Sequence, residues 1–272
     1  LTARDHVRPL WQQMNLRVGV TRVAPQIFQA PRREMGVIAG LDGQERHFDG
    51  PGVPARVIHG LQHLAIPARE VMEDGGGDHA HDLEKTRFDD PSMARRFNAM
   101  MDFVLSRIPD VQLAVLYIGS EVDIYLGSDE AKWRQYDSFY QATRSHLKTR
   151  RPDLKVGVET TFAALTRNPT RAFLQNLNQR SDVIGVSYYH LNEKTGAVAD
   201  PKEMHAVFGE ITTAYPQKPI YFHQLGCPTS PVLGSSEAAQ REFIRETFQA
   251  WDAHLSQVKF ISFVWLTDRS PD

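Results

Sequence analysis

The chain has 272 residues, 41% of them hydrophobic and 24% charged, with a formal net charge of -2. This is the composition of a globular protein long enough for one α/β barrel of roughly 250 residues. The charge balance offers no attraction to nucleic acid or to an anionic membrane, and no apolar run approaches the roughly 20 residues that cross a bilayer. A single cysteine, Cys227, excludes an internal disulfide and a cysteine-built metal centre. The first residue is Leu1 and not methionine, so the lack of a signal peptide in these residues carries no conclusion, and both ends read as trimmed.

In chain order, residues 16–23 (LRVGVTRV) and 61–66 (LQHLAI) read as strands, set among irregular stretches at 24–60 and 67–90 rich in Gly, Pro, Arg and Asp. Loops of that length inside a barrel shape a substrate cleft. Residues 111–118 (VQLAVLYI) form a continuous apolar run, and 131–150 follow with helical spacing. Strand 154–158, helix 171–179, strand 182–189, helix 201–215 and strand 219–225 come next. Helix 236–256, capped by Ser235 or Ser236, leads into a last strand at 258–266. Near-continuous apolar strands alternating with helices predict a parallel sheet covered on its outer face. The expected fold is α/β, a single (β/α)8 TIM barrel over residues 1–272, incomplete at the termini if its first strand precedes Leu1. That strand otherwise lies within 35–41 (MGVIAGL). A doubly wound open sheet is the alternative, weakened because no strand is followed by G-x-G-x-x-G.

In such a barrel the chemistry lies at the C-terminal ends of the strands. Those ends carry Ser120-Glu121, Glu159, Tyr188-Tyr189-His190, His223-Gln224 and Trp265 with Asp268, so carboxylates, rings and amides gather at one rim. Aromatic rings stack on sugar faces, and carboxylates do the acid–base work of glycoside cleavage. Tyr125 adds a further rim aromatic.

This order of residues resembles clan A of the glycoside hydrolases, nearest to endo-β-1,4-galactanase and cellulase-like members. The segment YIGSEVDIYL matches the strand-four acid/base glutamate with Glu121, Tyr188 or Tyr189 matches strand six, YFHQLGCPTS matches strand seven, and Trp265 matches strand eight. The resemblance covers about residues 95–268. It implies a retaining site binding a β-linked saccharide, with Glu121 as acid/base and Ser120, Tyr188, Tyr189, His223 and Trp265 as sugar contacts. It further implies a secreted or envelope protein that acts as a monomer without a cofactor. The departures are Gln224 in place of the nucleophilic glutamate, Ser120 in place of asparagine, and Cys227 in place of an aromatic residue. An amide is a poor nucleophile, so hydrolysis is expected to be weak or absent, and a non-catalytic carbohydrate-binding barrel is the alternative.

Plainer roles compete for several of these residues. The plainer alternatives are an ion-paired rim carboxylate for Glu121, core for Trp265 and a turn cap for Asp268. Glu159 reads as a solvated strand-end residue, and His190 and His223 as hydrogen-bonded rim residues. A metal-dependent barrel hydrolase is a further alternative, on the His79-x-His81 pair with His190 and Asp268. Strand five ends in Glu159-Thr160-Thr161 without the histidine such a site needs, so no bound metal is expected.

Overall fold

The computed structural model describes residues 18–19, 86–109 and 113–264. The apolar runs become strands and the amphipathic stretches helices, in the order β1 (Val18–Gly19), α1 (Pro91–Arg107), β2 (Val115–Tyr117), α2 (Val122–Leu126), α3 (Glu130–Arg150), β3 (Lys155–Thr161), α4 (Phe162–Thr166), α5 (Thr170–Asn178), β4 (Val183–Tyr189), α6 (Met204–Ala214), β5 (Ile220–Gly226), α7 (Glu237–His254) and β6 (Val258–Phe263). Short polar side chains start the long helices. Asp90 accepts from Ser92 N with Pro91 in the first turn of α1, Asp129 accepts from Ala131 N and Lys132 N, and Ser236 accepts from Ala239 N. Each supplies an acceptor to a backbone donor that the first helical turn leaves unpaired.

Strands β2 to β6 pair in sequence order, all parallel. They curl into a half-barrel, with the connecting helices on its outer face, the arrangement of a (β/α)8 TIM barrel. In the barrel order expected from sequence, β2 to β6 are its fourth to eighth strands. β1 departs from that order. It is two residues long and pairs with β2 antiparallel, Val18 opposite Leu116, whereas residues 16–23 predict a parallel barrel strand. Alternating residues specify which face of a strand is buried and leave its direction open. The predicted strand 61–66 and the segment 35–41 lie outside the described residues.

The sheet buries apolar side chains on both faces, which is why its strands read as unbroken apolar runs. Leu116, Val158, Ile184, Val186, Phe222 and Leu225 face the helices, and the ring of Phe222 stacks on Phe208 of α6 at 4.8 Å. Burying each such side chain is worth about 1.5–3 kcal/mol. Val115, Tyr117 and Val183 form a separate cluster, with Tyr221 packed against it. They occupy the other face, the lumen of the barrel. Helix α1, to which the apolar periodicity assigns nothing, buries Met93, Phe97, Met101, Val104 and Leu105.

Candidate active site at the C-terminal ends of the strands

The chain leaves β2 through a tight turn. The Tyr136 hydroxyl donates to Ile118 O, and Gly119 follows at φ 92°, where a Cβ would lie 2.5 Å from Val122 Cγ1. Glu121 is then left-handed, φ 51° and ψ 40°, and caps α2 through its backbone position alone. A left-handed residue with a Cβ costs about 1–2 kcal/mol. This conformation accompanies a long reach: the Glu121 carboxylate passes over β3 and accepts from the Ser187 hydroxyl of β4. Two residues on, buried Asp123 ties the turn to β3 by accepting from Thr161 N at 3.0 Å and Thr161 Oγ1 at 2.7 Å. Burial pushes the Asp123 carboxyl above the ordinary range in spite of those two bonds, and the charge of Glu159 adds to the rise.

Deeper in the lumen the alternation of β3 points Glu159 inward, beside Gly185 of β4. On β5 a bulge intervenes. Val186 pairs with Phe222, but the next residue of β4, Ser187, pairs with Gln224, so His223 is extra in the ladder. Two consecutive residues of β5 thereby reach one acceptor: Gln224 Nε2 donates to Glu159 Oε1 at 2.9 Å, and His223 Nδ1 lies 3.2 Å from the same oxygen. Bulges re-aim side chains in this way beside active sites. The Tyr189 hydroxyl donates to Gln224 Oε1 at 3.0 Å. Glu159 is fully buried. Burial alone would raise its carboxyl, but the hydrogen bond and charge of His223, the Gln224 amide and the Ser120 hydroxyl together hold it below the ordinary glutamate range. The Tyr117 ring covers this layer, centred 5.1 Å from that of His223. It fills the space above Gly185, where a Cβ would lie 2.6 Å from Tyr117 Cε1.

The structure thus brings Glu121, Ser120, His223, Gln224 and Tyr189 together at one end of the sheet. Glu121 and Gln224 are linked through Ser187, which bonds the first and neighbours the second. Of the two strand-six tyrosines, Tyr189 turns to Gln224. Tyr188 turns to the helix layer, against Phe162 and within 3.0 Å of His190 Nδ1. Two expectations change, and one competing reading gives way. Glu159 is a buried centre of the hydrogen-bond network rather than a solvated strand end, because three neighbouring donors offset the cost of its burial. His190 is fully buried against Phe243 rather than at the rim. Among the described residues Glu121 bonds a hydroxyl, so the competing reading of it as an ion-paired carboxylate has no partner there. Tyr125 packs beside Phe88 with Lys132 over its ring. Cys227 is buried and its thiol is pushed up to about 11, which leaves it unreactive. Trp265, Asp268, His79 and His81 lie outside the described residues, and among the described residues no cluster of three or more His, Cys, Asp or Glu side chains could hold a metal. No described helix is long and apolar enough to cross a membrane.

Sequence reasoning missed Ser187, Tyr117 and Gly185. The isolated glycine inside the apolar strand DVIGVSYY was the available signal, since a strand glycine marks a close approach by another group.

No family model and no curated protein matches the sequence. Solved structures do match its fold. The Ignisphaera aggregans GH53 catalytic domain superposes with a TM-score of 0.54 at 15% identity, over 70% of this chain and 57% of that one. A Bacteroides uniformis beta-glucuronidase gives 0.51 at 8% identity, over 65% of this chain and 22% of that one. Bacteroides uniformis beta-glucuronidase 2 covalently bound to cyclophellitol-6-carboxylate aziridine gives 0.51 at 9% identity with the same coverage. The chain therefore spans less than two thirds of the length of these proteins. At such identities the likeness is one of fold alone, and that fold is the TIM barrel.

Proposed function

We propose that this chain carries a saccharide site at the C-terminal rim of its barrel and takes a β-linked oligosaccharide or polysaccharide, in the manner of clan A members of the galactanase and cellulase type. Glu121 is the proton donor to the glycosidic oxygen, and Gln224 stands at the nucleophile position. Tyr189, His223 and, on the resemblance, Trp265 line the saccharide, while Ser120 and Tyr188 support the site from behind.

One observation supports this reading most: both ends of the Gln224 amide are in use, Oε1 by Tyr189 and Nε2 by Glu159. A carboxylate at 224 would accept from Tyr189 but has no proton to offer an ionised Glu159. The surroundings suit an amide, so the retaining route, which needs a carboxylate nucleophile, is weak or absent in this chain. Calorimetric titration against a panel of β-linked oligosaccharides tests the substrate class. Binding is expected. Failure of every saccharide, with a phosphorylated metabolite binding in their place, would overturn it.

A further inference from the structure

We propose that His223 is the general base of this site and that Glu159 is the positioning residue that holds it, so that a bound β-linked saccharide is hydrolysed by single displacement instead of through a covalent glycosyl-enzyme. The proposal rests on the saccharide reading above.

The Glu159 side chain is 0% exposed and that of His223 is 12% exposed. The carboxylate cannot itself meet a water in the cleft, whereas the imidazole can. An ionised carboxylate only accepts hydrogen bonds, so the bond between them is donated by Nδ1–H of His223. A neutral ring with its proton on Nδ1 presents a lone pair on Nε2, and among the described residues the ring's hydrogen bonding is through Nδ1. Gln224 Nε2 grips the same Glu159 oxygen and keeps the carboxylate from rotating away. The bulge in β5 places both donors there, and Tyr117 backs the ring. Other titratable groups face the pair from each neighbouring element. Tyr117 comes from β2, with its phenol pushed well above the ordinary range by burial and by the charge of Glu159, and it also feels Tyr221 of β5. Asp123, after β2, couples to Glu159 by charge, and Glu121 lies at the rim. The Tyr117 phenol stays neutral, so the charges about the pair are those of carboxylates.

In the step itself, a water gives a proton to His223 Nε2 as its oxygen bonds to the anomeric carbon. The glycosidic C–O bond breaks, its electron pair leaves with the departing oxygen, and that oxygen takes the proton of the Glu121 carboxyl. One water is added overall, and solvent carries the proton from the imidazolium back to Glu121.

Turnover of aryl β-glycosides, with the first-formed anomer read by NMR and saccharide binding measured beside it, tests the assignment. The product is expected to be the α-anomer. His223→Gln should lower kcat about 100-fold or more, a loss far larger than its effect on saccharide affinity. Glu159→Gln should lower kcat about 10-fold or more with KM little changed, because the imidazole loses the acceptor that fixes its tautomer and orientation; a merely structural role would lower stability and leave kcat in place. If Glu159→Gln fails to fold, His223→Gln and the product anomer decide alone. A retained β-anomer, or turnover unchanged in His223→Gln, overturns the proposal. Saccharide binding with no turnover overturns the base assignment and leaves the saccharide reading standing; no saccharide binding overturns both.

Discussion

At the N-terminal ends of β3 and β4, Asp182 meets two cations and a backbone amide: Arg144 at 2.6 Å, Lys148 at 2.7 Å and Val156 N at 2.9 Å. Its side chain is 24% exposed. Partial burial raises its carboxyl, and Lys148, the Val156 amide and Arg144 more than reverse that. At the opposite ends of the same two strands, Glu159 is fully buried and held by an imidazole, an amide and a hydroxyl, with no lysine or arginine among its partners in the described residues. Around it are a left-handed glutamate and a bulged strand. One end neutralises its charge close to water, which stabilises the fold. The other keeps an anion in the interior and strains the backbone to arrange polar groups about it, as functional sites do and stability alone does not require.

The sharpest way to break this contrast is Glu159→Ala. It strands the Gln224 amide and the His223 Nδ1–H in the interior, and should cost about 3 kcal/mol in urea unfolding. A loss near zero would mean that the network holds nothing together. Gln224→Glu comes next. It sets a second carboxylate against Glu159, and like charges at that distance cannot both ionise. One carboxyl of the pair is raised in the folded state, so its contribution is intact below the unfolded value of about 4.3 and is lost as pH rises through the raised one. The variant should approach the parent in acid and fall about 2 kcal/mol below it at neutral pH. A gain of several orders of magnitude in retaining turnover would instead mark Gln224 as a bare substitution in an otherwise retaining site.

Asp182→Asn should show the same trend for the opposite reason, since it removes a depressed carboxyl instead of adding a raised one. The folded carboxyl is depressed, so its contribution is full above the ordinary aspartate value of about 3.9 and fades as pH falls through the folded value. The deficit of this variant, about 1–2 kcal/mol at neutral pH, should therefore shrink in acid, with saccharide affinity unchanged. Altered affinity would dissolve the distinction between the two ends. The smallest effect is expected at Glu121. Its Gly and Ala replacements both lose the bond to Ser187, but only glycine accepts φ 51° freely. Glu121→Gly should be more stable than Glu121→Ala by about 1 kcal/mol; equal stabilities would remove backbone strain from the account.

The alternation of strands and helices from residue 111 onward was legible because a parallel sheet buried on both faces writes itself as apolar runs. Ser236 as a helix cap and the rim positions of Glu121 and Gln224 followed from the same reading. The direction of β1 was not legible, since alternation does not encode it. Nor was the burial of Glu159, since a glutamate ending a strand looks the same whether it meets solvent or three donors brought from residues 120, 223 and 224. Period two applied to YFHQLG puts His223 and Gln224 on opposite faces; the extra residue in the ladder puts both on one acceptor, and nothing in the local composition announces it.

That extra residue makes chain length at position 223 a chemical variable. Removing it would let β5 run flush with β4, with the hydrophobic layer beneath the helices little changed and the Gln224 side chain still directed to the lumen. The imidazole would be gone, and Glu159 would keep a single partner from that strand. A lineage carrying this fold could thus exchange one kind of polar centre for another by inserting or deleting one codon, while every apolar position kept its identity. Comparisons that align such proteins column by column, without allowing a gap inside the strand, would set the wrong residues opposite each other.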